Sequence, residues 1–276
     1  MRQQLTAGLV ALVLLSSCKK DDKKNDNNPG NDSKNPYKVS GIIKDTKGQA
    51  IAGAKVRVVN HVLYDVSSDV FSTNYGTYVT PKLDIGGWNI YAWKDITYEG
   101  QTYHLRIAPE DNDYNAFSLD KEGYTKNFKL KLSGRIEDVP LSDNSPTTGY
   151  YGGTMVFTNL PSEGMQQMPA GTEVKITLTP VAGSKFIDGS EAQFLEKTFT
   201  IKKNQFNYFI TDIPQCKYKI TAKTNGRLIL LTDVRDIYGE EPYKESLTYF
   251  FKPDPATSYN SGLQSNIETP FFMELF

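Results

Sequence analysis

The sequence predicts an all-β protein: two tandem antiparallel β-sandwiches behind a disordered tether. Three observations predict it. Tyr and Phe are abundant, 17 and 14 of 276 residues, and with Thr they favour strands. Short segments such as Ala54-Lys55-Val56-Arg57-Val58 alternate apolar with polar residues, the period-2 pattern of a strand with one dry and one wet face. No long amphipathic-helix periodicity competes with these segments.

The chain opens with an address. Arg2 precedes an apolar run over residues 5–15, which suits a secretory h-region and falls far short of the roughly 20 residues a spanning helix needs. Leu15-Ser16-Ser17-Cys18 follows at once and resembles the lipobox of bacterial lipoproteins. That resemblance implies a signal peptide over 1–17, cleavage before Cys18 and acylation of the Cys18 thiol. Two acyl chains anchor stably where one binds only reversibly. Lys19-Lys20-Asp21-Asp22 resembles the export signal of surface-exposed lipoproteins of Gram-negative anaerobes. The expected location is therefore the outer membrane, facing outward. Residues 18–36 read as a flexible tether, since Lys19 to Pro36 holds only polar residues, Gly and Pro and such a segment buries too little apolar surface to fold.

Residues 37–138 form the first predicted sandwich. Tyr37 to Asn60 reads as a strand, a turn at Asp45–Gly48 and a second strand, and Phe71 to Trp93 continues in the same manner. Gly41, Asp45, Gly48, Ile51, Gly53, Ala54, Val56 and Val58, followed by a Gly turn and an aromatic strand, resemble the motif of the carboxypeptidase regulatory-like domain. The match covers roughly residues 38–95. It implies a small antiparallel sandwich of transthyretin type, a non-catalytic module. Gly87-Trp88 stands where that family usually has Gly-Tyr.

A Pro/Ser/Thr-rich linker at 139–149 separates this half from residues 150–276, read as a second sandwich of transthyretin/immunoglobulin-like type and a divergent repeat of the first. Phe71 aligns with Phe199, Leu83 with Ile213, Trp88 with Tyr218 and Ile90 with Ile220. The strand Ala54–Val58 aligns with Glu173–Leu178. In this register Cys216 falls where the first half has Gly86, in the turn before a strand. There a small residue suffices, and a free Cys behaves as a small hydrophobe. With Cys18 acylated, Cys216 has no disulfide partner in the chain.

The search for chemistry finds little. His61 and His104 are the two histidines; no H-E-x-x-H, zinc-spaced Cys pair or G-x-S-x-G is present. A formal net charge of −1 does not suggest nucleic acid as a partner. No cofactor or resident metal is expected. The weak exception is a calcium-like spacing of Asp111, Asp113, Asn115 and Glu122, in which Ala116 stands where a calcium loop needs Gly for its sharp turn. The other candidate is aromatic. In residues 88–93, Trp88, Ile90 and Ala92 share one face, and Asn89, Tyr91 and Trp93 share the other. With Trp88 inward, Tyr91 and Trp93 point outward, and Tyr98 and Tyr103 follow closely. An open face of this kind would stack on sugar rings; a covered one would be ordinary core.

The functional expectation is a non-catalytic, lipid-anchored envelope lipoprotein that binds glycan or protein, with an outer-membrane protein as one partner. The alternative is a structural adhesin subunit, because a lipobox before two such sandwiches resembles the lipoprotein fimbrillins. A hydrolase with unlocated carboxylates stands third.

Overall fold

A computed structural model describes residues 35–62, 66–141, 149–159, 167–232, 243–253 and 271–275. Cys18, the signal segment and almost all of the tether lie outside the described residues, as does most of the 139–149 linker. Every regular element among the described residues is a strand. The first half contributes β1 (Val39–Lys44), β2 (Lys55–Asn60), β3 (Val66–Phe71), β4 (Thr77–Val79), β5 (Gly87–Tyr98), β6 (Gln101–Pro109), β7 (Phe117–Ser118), β8 (Tyr124–Thr125) and β9 (Phe128–Lys129). The second contributes β10 (Gly153–Thr158), β11 (Glu173–Pro180), β12 (Leu195–Thr200), β13 (Asn207–Ile213), β14 (Cys216–Thr224), β15 (Arg227–Ile229), β16 (Leu231–Thr232), β17 (Leu247–Phe251) and β18 (Phe271–Leu275).

The fold is an all-β, mostly antiparallel sandwich. In the first half one curled sheet runs β3-β2-β5-β6-β9-β1-β4. Its core holds Val56, Val58, Trp88, Ile90, Ala92, Leu105, Ile107 and Phe128. The motif residues have physical work here. Asp45 Oδ1 accepts the amides of Lys47 and Gln49 at 2.8 and 2.7 Å and closes the β1–β2 turn. A side chain on Gly41 would meet the Lys126 carbonyl oxygen at 1.9 Å, so the close approach of β1 to the 126 backbone excludes a Cβ. Gly53 holds φ at 64° before β2, a left-handed turn that Gly adopts at no steric cost.

In the second half the sheets are β13-β10-β18-β16 and β12-β11-β14-β15, with β17 also on β14. The core gathers Phe157, Val174, Ile176, Leu178, Tyr218, Ile220 and Phe251. β11 alternates cleanly, with Val174, Ile176 and Leu178 fully buried between exposed or half-buried neighbours.

The two halves follow one pairing scheme. β2 lies between β3 and β5, and β11 lies between β12 and β14. β1 pairs antiparallel with β4, as β10 does with β13. Val58 faces Ile90 across the first sheet, and Leu178 faces Ile220 across the second. Trp88 Nε1 donates to the carbonyl of Asp84, four residues back, at 3.0 Å; Tyr218 donates to Pro214, also four back, at 3.2 Å. The aligned Phe71 and Phe199 differ: Phe71 is 63 % exposed, while Phe199 packs on the core and stacks on Tyr208 at 4.6 Å.

Residues Lys34–Phe276 form one compact unit, and its halves interlock. Ile187 of the second half sits in the first core, and Leu132 packs on both cores. The Thr46 hydroxyl donates to Asp188 at 2.6 Å, and the Tyr98 hydroxyl to the Lys185 carbonyl at 2.8 Å. Both Asp212 carboxylate oxygens accept the Gly134 amide, at 2.8 and 2.9 Å, and Oδ1 also takes that of Gly152 at 3.3 Å. Asp212 achieves this with φ at 61°.

Candidate functional site

The expected aromatic face exists but is not open. Alternation holds along β5: Trp88, Ile90 and Ala92 enter the first core, and Tyr91 and Trp93 take the opposite face, their rings 6.0 Å apart. That face is covered, with Trp93 fully buried and Tyr91 8 % exposed. Arg106, opposite Trp93 in β6, lies over the rings of Tyr91 and Tyr114 at 5.5 and 4.6 Å. It is itself buried, and its Nη2 pairs with Asp138 at 2.6 Å. Ile136 and Tyr151, with Val139 and Tyr114 packed beside them, form a small apolar cluster with Ala108 of β6. The Tyr114 and Tyr151 hydroxyls bond to each other. The chain that leaves the first half thus folds back over that half's outer face, and the aromatics serve as packing.

The other two aromatics are also engaged in packing, for different reasons. Tyr103 faces inward and belongs to the first core. Tyr98 packs at the seam between the halves, its ring 5.5 Å from that of Phe250. None of Tyr91, Trp93, Tyr98 and Tyr103 forms the exposed stacking platform that the alternation suggested.

The calcium-like spacing is filled by a protein cation. Lys126, 3 % exposed, places its ammonium 2.9 Å from Asp111 Oδ2 and 3.7 Å from Asp113 Oδ2. Asp113 Oδ1 is taken by the Asn115 amide at 3.0 Å, and that bond, aided by Lys126, holds its carboxyl below the usual range. Glu122 does not join them; its amide donates to Asp120 at 2.7 Å in the next turn. The left-handed residue of the loop is Asn112, at φ 56°, and not Ala116. Among the described residues no three His, Cys, Asp or Glu side chains gather to hold a metal.

Cys216 is fully buried in the second core. Burial pushes its thiol up to about 11, and the nearby Glu99 carboxylate adds to the rise. His104 Nδ1 sits 2.5 Å from Asp95 across the β5–β6 pair; His61 is exposed in the turn after β2.

Two concavities lie among the described residues. One, of about 430 Å³, lies at the seam between the β5–β6 turn (Tyr98, Glu99) and the loop carrying Lys185, Phe186 and Asp188. Burial works to raise the Asp188 carboxyl, but bonds from Ser190 and Thr46 outweigh it and hold the group below its usual value. The other, of about 530 Å³, is lined by Tyr37, Ile85 and the 119–122 turn. Neither contains a nucleophile beside a base.

No family model and no curated protein matches the chain. Among solved structures it is similar to a streptococcal ancillary pilin (10 % identity, 87 % of this chain and 62 % of that one, TM-score 0.25). It is also similar to the Bacillus anthracis TIE protein (12 % identity, 87 % and 34 %, TM-score 0.31), and to a DUF3823 family protein from Bacteroides uniformis (11 % identity, 78 % and 99 %, TM-score 0.24). The chain therefore spans less than two thirds of the first two. Likenesses of this size carry no argument about function.

Proposed function

We propose that this chain is a non-catalytic structural subunit of a bacterial envelope, anchored through an acylated Cys18, exposed at the outer-membrane surface and fimbrillin-like in role. On this reading the first half is a divergent carboxypeptidase regulatory-like module and the second a repeat of it. The observation that carries the proposal is the use made of the aromatic and charged side chains. Tyr91, Trp93, Tyr98 and Tyr103, which an open glycan platform would have needed, are spent on the covered outer face, the seam and the first core. Asp212 with Gly134 locks that seam, and Arg106 with Asp138 ties the end of the first half over its outer face. A joint of buried charge and fixed backbone bonds suits a part that transmits position or load. It gives no support to hydrolysis, which needs an accessible acid and base.

The test is made on the full-length protein in an envelope-bearing host. Cys18→Ala should move it from the membrane to the soluble fraction, and external protease should remove it from intact cells only when Cys18 is present. Purified protein should show no glycan retention on an array and no turnover on glycoside or ester substrates. Retention of a defined glycan would restore the binding-module reading, and turnover would overturn the non-catalytic one.

A further inference from the structure

One face of the second half carries a charge that its core does not require. β14 turns Tyr218, Ile220 and Ala222 inward and presents Lys217, Lys219, Thr221 and Lys223 outward, the three lysines exposed. Successive outward residues of a strand stand about 7 Å apart, so these lysines form a row roughly 20 Å long. The neighbouring strands widen the row into a field. On β11, Lys175 stands directly opposite Lys223, with Thr177 opposite Thr221 and Thr179 opposite Lys219. On β17, Thr248 faces Lys219 and Phe250 faces Lys217, and Lys252 lies over the Phe250 ring at 5.9 Å. Neither β14 nor its partners β15 and β17 carries an Asp or Glu. On the strands of this sheet the outward acids are Glu173 of β11 and Glu196 of β12, and Glu196 is taken by Lys175 at 2.6 Å.

We propose that this face docks on an anionic lipid surface, with its lysines against the phosphate headgroups. The charge is concentrated there against the balance of the chain, whose formal net charge is −1. Like charges directly opposite in a sheet destabilise it, so folding by itself does not favour Lys223 opposite Lys175, and an anionic surface offsets their repulsion. The shape points the same way. The lysines spread in two dimensions over a sheet face, and neither of the two concavities is lined by any of them. A small anion is held by donors that converge, whereas ammonium groups on flexible stems act as point charges and suit a flat field of headgroups. Apolar side chains stand at both ends of the row: Leu228, 45 % exposed, opposite Lys223, and half-buried Phe250 opposite Lys217. Lysines edged by Leu and Phe are the combination that holds amphipathic elements at a bilayer interface. The inference makes no use of Cys18, so its failure would leave the proposed anchor and role standing.

The experiment uses the full-length chain carrying Cys18→Ser, so that no acyl group contributes, and measures sedimentation with vesicles at low salt. The protein should partition onto an equimolar phosphatidylcholine–phosphatidylglycerol mixture and not onto phosphatidylcholine alone, and salt should release it, because screening shortens the reach of exposed charges. A lysine near an anionic surface contributes roughly fivefold to partitioning. The triple variant Lys217→Gln, Lys219→Gln, Lys223→Gln should therefore lose roughly a hundredfold, and Lys219→Gln alone roughly fivefold, with unchanged melting temperatures. A control triple, Lys47→Gln, Lys121→Gln, Lys203→Gln, makes the same change in net charge elsewhere and should partition like the parent. Equal binding to both vesicle types, or equal loss in the two triples, would overturn the assignment to this face. Competition by free glycerol phosphate at matched ionic strength would reduce the face to a small-anion site. Retention on an acidic polysaccharide without vesicle binding would give it another polyanion, and either result would overturn docking on lipid.

Discussion

At the scale of single residues, Trp93 decides between site and core. Its ring lies on the face opposite the first core yet has no exposed surface. Truncating a buried large aromatic costs about 3–5 kcal/mol, against about ±0.5 for a surface position. Trp93→Ala should therefore lower the urea midpoint steeply, and a near-neutral curve would mean that the face is open in solution. Cys216 offers a second check. Its thiol is raised from 9.0 to about 11, mainly by burial, so at pH 8 it should not react with a thiol reagent until the chain unfolds. The linkage has a definite sign. A folded value above the unfolded one means that the folded state keeps its proton longer, so the stabilisation is intact below pH 9 and is lost as pH rises towards 11. Denaturant titrations across that window should show a steeper loss for the parent than for Cys216→Ala.

Elements show how an exposed edge is held. Among the described residues β3 pairs only with β2, and all six of its residues are exposed or half-buried. Arg57 grips Asp69 across this pair with two bonds, of 2.7 and 2.8 Å, and Lys55 adds a contact at 2.9 Å. The Arg57 bonds pull the Asp69 carboxyl below its usual 3.8. A depressed folded value stabilises above the unfolded pKa, and that stabilisation disappears as pH falls through the folded value. Asp69→Asn should flatten the acid limb of stability below about pH 4. At neutral pH it should cost less than about 1 kcal/mol, because the pair is solvent-screened. Equal acid slopes in parent and variant would show that Asp69 does not carry that limb. The alternation that placed β2, β5, β11 and β14 was legible because it is local: successive side chains in a strand point to opposite faces whatever surrounds them.

For the whole molecule, the seam governs cooperativity. Asp212 fixes Gly134, where the chain leaves the first half, to β13 of the second, and Tyr98 reaches across to Lys185. With Ile187 in the opposite core, the two halves should unfold in a single calorimetric transition. Asp212→Gly combined with Tyr98→Ala removes the carboxylate without adding backbone strain at φ 61° and opens the other side of the seam. The double variant should resolve into two transitions. One sharp transition would show that the shared apolar contacts suffice to couple the halves.

The sequence by itself determined the inward positions of β2, β5, β11 and β14, among them Trp88, Ile90, Tyr218 and Ile220, and the burial of Cys216. These follow from strand periodicity and from small-residue positions in turns, both properties of a few neighbouring residues. Only the tertiary structure decided that the Tyr91–Trp93 face is closed, with buried Arg106 laid over Tyr91 and held by Asp138. It also decided that Lys126 answers Asp111 and Asp113, and that β18 lies between β10 and β16. The physical reason is common to all three. A strand sets the direction of its side chains within itself, but whether that direction ends in water, in a lysine or against another strand depends on residues far along the chain, whose approach no local pattern encodes.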